Sequence, residues 1–209
     1  MVVTLYRDRH LEVVCKPPGL AVTPIPASPS CVELLTGARA VHRLDVETSG
    51  LVVLAHTDEG AARAGRLFAE GRVEKSYAAM GTLRPGAVLS GHGTCTVPLG
   101  DWRRGRVQVG VGKPAVTVWA VRWSDGDRRG VVARPKTGRT HQIRAHLGSL
   151  GLPLDGDDPY GGIPAPRLCL HAWALRLPWP EAGGVLEVCA PLPEVFGPAD
   201  RWGAPWDPT

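Results

Sequence analysis

The 209-residue sequence predicts an α+β fold built on a mostly antiparallel sheet, and three observations carry that expectation. Short apolar or alternating runs of strand length outnumber helical patterns. The helical patterns come singly rather than between every pair of strands, which disfavours a doubly wound α/β sheet. The 26 glycines and 20 prolines, without any collagen-like period, require many turns and short elements. The length suffices for one substantial core, so a single domain over 1–209 is expected.

Taken in order, Leu11 to Cys15 reads as a strand that ends at the turn Lys16-Pro17-Pro18-Gly19. Ser30-Cys31-Val32-Glu33 has the form of a capping box and Gly37 is a natural stop, which predicts a short helix over 31–36. Leu51 to Ala55 is a continuous apolar run of strand length. Thr57 or Asp58 then caps a helix through Glu70, with Leu67 and Phe68 inward and Gly71 at its end. Residues 75–82, 116–123, 129–134, 168–175 and 185–190 read as strands. Thr140 is the expected cap of a helix bearing Ile143, Leu147 and Leu150 at helical spacing. Arg103, Arg104 and Arg106 precede the alternating Val107 and Val109 like the tip of a hairpin.

Composition excludes several classes. Hydrophobic residues make up 44% and charged ones 21%, the balance of a globular chain rather than a disordered one. No apolar run approaches the ~18 residues of a membrane span. Arg7, Asp8, Arg9 and His10 interrupt any signal-like opening, so a cytoplasmic protein is expected. The five cysteines form no C-x-x-C pair and the seven histidines fall into no zinc-like spacing with them. Reduced thiols and no metal are expected. Charge is unevenly spread: residues 101–150 hold 11 basic and 3 acidic groups, a net +8, against +4 for the whole chain. Twenty of the 24 basic residues are arginine, the side chain suited to bidentate phosphate contacts. That segment is a candidate polyanion-binding face.

Gly110-Val111-Gly112-Lys113 is not a phosphate loop, because Pro114 stands where the hydroxyl residue is needed. His42-Arg43-Leu44-Asp45-Val46-Glu47-Thr48-Ser49-Gly50 is the most polar stretch lying directly against an apolar run. Alone it reads first as a solvated turn in which Thr48 and Ser49 cap backbone groups. Lys136 to Arg144 runs through a tight turn into a helix N-terminus, an anion-attracting place, and Lys75-Ser76-Tyr77 opens a strand.

Together these clusters resemble the RluA-type family of RNA pseudouridine synthases. His42 to Gly50 is similar to the family signature H-R-L-D-x-x-T-S-G without a mismatch, Lys75 to Ala79 to its K-x-Y-x-A strand, and Thr137 to Leu147 to its T-G-R-T-H-Q-I-R-x-H-L segment. Lys16-Pro17 with Gly19-Leu20, Gly112 to Ala115 with Thr117, Gly156-Asp157 with Tyr160-Gly161, Leu170-His171-Ala172 and Ala190 to Pro193 follow in the family's order. The one departure is Cys15, where the family usually has asparagine.

The resemblance implies a bent mixed sheet, mostly antiparallel, with helices on its faces and a central basic cleft. It also implies an isomerase that breaks the bond from sugar to nitrogen in uridine and rejoins the same base through carbon, with no cofactor. The expected substrate is tRNA or large-subunit rRNA, the expected partner is RNA without membrane or metal, and a monomer is expected. Asp45 is the implied catalytic carboxylate, acting on the sugar as nucleophile or base. Arg144 is implied to pair with it, and Tyr77 to stack on the target base. Arg43 is implied to fill the space of a flipped base, with His42 supporting that loop, Arg139 meeting phosphate and Leu170 forming part of an apolar wall. Two other classes compete: a silent RNA-binding module, disfavoured by the intact Asp45, Tyr77 and Arg144, and a glycoside-cleaving enzyme using Asp45 and Glu47. Tritium release from uracil carbon 5 discriminates among the three.

Overall fold

The structure is a computed structural model that describes residues 1–26 and 30–207. The chain divides into two compact units: Met1–Lys75 with Ala172–Pro191, and Ser76–His171 with the stretch from Leu192 onward. In chain order the elements are β1 (Val3–Arg7), β2 (Leu11–Lys16), α1 (Val32–Thr36), β3 (Arg39–Ala40), β4 (Ser49–Ala55), α2 (Asp58–Ala69), β5 (Glu74–Thr82) and β6 (His92–Cys95). They continue with β7 (Leu99–Arg103), β8 (Arg106–Val109), β9 (Thr117–Asp125), β10 (Arg128–Pro135), α3 (Gln142–Ser149), β11 (Leu170–Trp179) and β12 (Gly184–Cys189).

In the first unit the strand order is β1-β2-β4-β11, with β12 beside β11 and β3 beside β4. β2 and β4 run antiparallel, from Leu11 opposite Ala55 to Lys16 opposite Gly50. Both are covered on two faces, and Val13, Val14, Val52, Val53 and Leu54 are fully buried. A strand buried on both sides has no reason to alternate, which is why β4 reads as a continuous run. It begins two residues earlier than the apolar run, at Ser49, and Gly50 adopts a φ of 108° against the backbone of Ala172, where any Cβ would collide. β12 alternates instead, burying Leu186 and Val188 while Val185 and Glu187 face outward.

The two helices of this unit depart from their sequence signals unequally. Thr57 caps α2 as expected, its hydroxyl oxygen accepting the N–H of Gly60 at 3.1 Å. The Ser30 capping box does not form: Cys31 is the N-cap and contributes no side-chain bond. The Glu33 carboxylate that would complete the box accepts instead the N–H of Ala40, at 2.6 Å. A tertiary partner in β3 has outbid the local one. Gly37 ends the helix in a left-handed conformation, as its position predicts.

In the second unit the order is β5-β10-β9-β6, each neighbouring pair antiparallel. Leu147 and Ile143 of α3 join Val131, Ala133, Leu152, Leu154, Leu168 and Leu170 in one buried cluster. β7 and β8 form the expected hairpin, turning through Arg104 and Gly105 at φ 51° and 84°. Two successive positive φ values are the mark of a type I′ turn, whose twist matches that of the strands it joins.

Thr140 does not cap α3. The N-cap is His141, in a left-handed conformation and without a side-chain bond to the helix end. Gln142 does the work from inside the helix. Its Oε1 accepts the N–H of Arg139 at 3.0 Å and the hydroxyl of Thr137 at 2.7 Å, and its Nε2 donates to Val116 O and Thr117 Oγ1, both at 2.9 Å. One buried amide thus holds the turn before α3 to β9 beside it.

Candidate active site

The signature loop of the first unit is fixed from behind. Lys16 is fully buried at the end of β2, and its ammonium donates to the carbonyls of Pro17, Leu20 and Val46 at 3.0, 2.8 and 2.9 Å. The Val46 carbonyl also accepts the N–H of Gly19 at 2.9 Å, and the Asp45 carbonyl accepts the N–H of Thr48 at 3.1 Å. The chain on either side of Asp45 is therefore pinned through its own backbone. Leu44 is buried, Asp45 is half-buried and Arg43 is exposed. The Arg43 guanidinium makes no hydrogen bond or ion pair with the described residues. A planar cation two residues before Asp45, held out on a rigid loop, is placed to meet a partner outside the chain.

His42 turns inward. Its Nε2 accepts the N–H of Val53 at 3.1 Å, and its ring stacks on Phe68 of α2 at 4.4 Å with planes 24° apart. Lys75 lies 6.0 Å from the same phenyl ring, and its own pKa is lowered by burial. Burial first, then the Lys75 charge, push the His42 imidazole down to about 3. Its side chain couples β4 to α2 and so sets the root of the loop. In the unfolded chain an imidazole titrates near 6.5, so between about pH 6.5 and 3 the unfolded state binds a proton that the native state refuses. That contribution to stability is full above pH 6.5 and falls as the pH drops through this window. His42→Gln keeps an acceptor for Val53 but cannot titrate. Its urea midpoint should fall less steeply than that of the wild type from pH 7 to pH 4.

The second unit carries the remaining residues. Tyr77 on β5 is half-buried opposite Ala133 of β10, at the margin of the cluster that contains Leu170. An aromatic face beside apolar side chains, with a hydroxyl at its end, suits contact with a flat base. Arg139 is exposed in the turn before α3, and its Nε donates to Pro114 O at 3.1 Å. Arg144 of α3 is buried. Its Nε and Nη2 donate to the two carboxylate oxygens of Asp157 at 2.8 and 2.6 Å, a bidentate pair that uses two of the three guanidinium nitrogens. The Tyr160 ring lies 5.3 Å from the same guanidinium. Asp45, His42 and Arg43 thus belong to the first unit, and Tyr77, Arg139, Arg144 and Leu170 to the second.

Sequence reasoning noted Lys16, Gln142 and Asp157 only as motif positions and assigned them no function. Their signal was present in part. A lysine closing an apolar strand must be either an edge charge or a buried clamp, and pattern alone does not choose between them. That Asp157 would hold Arg144 required knowing which segments meet. Among the described residues no group of three or more His, Cys, Asp or Glu is placed to hold a metal ion, and no helix is long and apolar enough to cross a membrane.

The profile of a family described as RNA pseudouridylate synthase matches residues 10–149. The dual-specificity RNA pseudouridine synthase RluA of Escherichia coli K12 is 35% identical over 205 residues, which cover 90% of this chain and 92% of that protein. The ribosomal large subunit pseudouridine synthase D of Haemophilus influenzae is 31% identical over 223 residues, covering 92% of this chain and 68% of that protein. Among solved structures, the human RNA pseudouridylate synthase domain containing 1 aligns with a TM-score of 0.77 at 27% identity, over 97% of this chain and 88% of that one. Fold and sequence together define an RNA-modifying isomerase, one that converts uridine to pseudouridine. The chain belongs to the RNA pseudouridylate synthase family and is of the RluA type.

Proposed function

We propose that this protein isomerises particular uridines of structured tRNA or large-subunit rRNA, with Asp45 as the essential carboxylate and the target base flipped from its stack. The observation that carries this reading is the Asp45 loop, clamped by Lys16 and Gly19 through main-chain groups while Arg43 stands exposed beside it. A single carboxylate suffices, because the detached uracil is retained and attacks again through carbon; no atom is gained or lost. Asp45 acts on the sugar as nucleophile or as base. Arg43 occupies the space the base leaves, since a guanidinium stacks between neighbouring bases as an ammonium cannot. Tyr77 stacks on the flipped uracil with Leu170 in the apolar wall, and Arg139 meets a phosphate. Arg144, oriented by Asp157, supports the ionised state of Asp45. His42 is a positioning residue beneath the loop. The reaction needs no cofactor, and 1–209 acts as one catalytic domain.

The names of the relatives support the choice of RNA: one is a ribosomal large-subunit enzyme and another is of dual specificity. The test is tritium release from uracil carbon 5 in labelled cellular RNA, followed by mapping of pseudouridines in cells with and without the protein. Release together with a lost pseudouridine in tRNA or large-subunit rRNA is expected. A lost site only in another RNA class would overturn the substrate assignment.

A further inference from the structure

Four arginines of the second unit, Arg84, Arg103, Arg104 and Arg106, border a single groove of about 900 Å³ between the β7–β8 hairpin and the end of α3. No acidic residue lines it. The side chains of Arg103, Arg104 and Arg106 are exposed and make no hydrogen bond or ion pair with the described residues. Arg84 donates only to a neutral group, the Tyr160 carbonyl, at 2.8 Å. Guanidinium groups gathered round one groove repel each other, and without a carboxylate among them the arrangement favours a multiply charged anion from outside. Exposed Val109 and Val111 lie in the same lining, and the hairpin also exposes Trp102. Cations interleaved with apolar and aromatic surface suit a strand of nucleic acid, whose phosphates alternate with ribose and base.

The hairpin that carries these charges is held firmly in place. Leu99 and Val107 pack with Ala115, Ala145 and Tyr160 in a small buried cluster. The Tyr160 hydroxyl accepts the N–H of Val107 at 3.0 Å and meets His141 Nδ1 at 3.2 Å. The arginines are therefore displayed from a fixed support at defined spacing. None of the residues assigned to the chemistry lines this groove.

We propose that the groove is a binding site for the phosphodiester backbone of the substrate RNA, outside the stretch that presents the target uridine. This rests on the RNA-modifying reading given above, and it assigns the hold on the RNA to residues that take no part in isomerisation. The turn permits a clean test. Arg104 sits in the left-handed conformation that asparagine tolerates well, and Asn-Gly is the favoured pair for a type I′ turn. Arg103→Gln, Arg104→Asn and Arg106→Gln together should remove three charges without loosening the hairpin, which a thermal melt checks. Binding of a labelled mixed-sequence stem-loop RNA is followed by anisotropy between about 50 and 200 mM salt. Each lost phosphate contact reduces the log–log salt slope by roughly 0.7–0.9, so the triple variant should lose about two units of slope and at least tenfold in affinity. A control with Arg7→Gln, Arg66→Gln and Arg72→Gln removes the same charge from the first unit and should leave the slope near that of the wild type. An unchanged slope in the hairpin variant, or an equal fall in the control, overturns the proposal. Tritium release by the wild type on labelled RNA is scored separately. Its absence would refute the catalytic reading while a reduced slope would still support the groove.

Discussion

Asp45→Asn is expected to lose isomerisation by several orders of magnitude while keeping the fold and most of its affinity for RNA. The substitution changes one oxygen to an amide and leaves the main-chain groups that anchor the loop unchanged. The Asp45 carbonyl still closes its turn with the Thr48 N–H, and Val46 is still gripped by Lys16 and Gly19. If the arginine groove binds the phosphodiester backbone as proposed, affinity comes chiefly from cations elsewhere on the chain. What is removed is the group we propose to attack or deprotonate the sugar, for which an amide is no substitute at neutral pH. Tritium release and anisotropy on the same variant, with its mass checked for deamidation, separate the two functions. Substantial turnover by intact Asp45→Asn would sink the assignment of the carboxylate, and loss of the fold would show that Asp45 also bears structure.

The legible parts of this molecule are those whose determinants are local. The apolar run of β4, the Thr57 cap of α2, the Gly37 stop and the I′ hairpin each follow from residues within a few positions of one another. The signature around Asp45 is likewise contiguous, and the charge excess of residues 101–150 marks the segment that holds the arginine hairpin. What failed were two helix caps in which a side chain had a choice of partner. Glu33 could close a capping box or reach Ala40, and it reaches Ala40. Thr140 could cap α3, yet Gln142 satisfies the preceding turn while also bonding β9. A local hydrogen bond contributes only about 0.5–1.5 kcal/mol net, so a tertiary partner that also relieves a buried polar group readily displaces it. Arg144 is identified by its motif, whereas Asp157, the carboxylate that it grips within the second unit, lies 13 residues further on and no contiguous pattern announces that pair.

Arg144→Lys is expected to lower kcat by about a hundredfold, more than its effect on folding would account for, even though the positive charge is kept. Arg144 is only 6% exposed and Asp157 is fully buried, so their pair is shielded from water and geometry decides its strength. The guanidinium meets both Asp157 oxygens at 2.8 and 2.6 Å, which fixes the plane of the fork and hence the direction of its third nitrogen. A lysine offers a point charge on a flexible stem; it can hold one oxygen of Asp157 but cannot transmit an orientation. Asp157→Asn tests the same device from the other side. It leaves a buried guanidinium facing a neutral amide, and removal of one partner from a buried pair destabilises by about 3–5 kcal/mol. Assays must therefore be run well below the melting point of each variant. If Asp157 positions Arg144 for the chemistry, kcat should fall in both single variants with KM little changed, and the double variant should lose far less than the product of the two effects. Near-normal kcat in Arg144→Lys, with stability alone reduced, would make the pair a structural clamp between α3 and the segment of Asp157 and would remove Arg144 from the catalytic group.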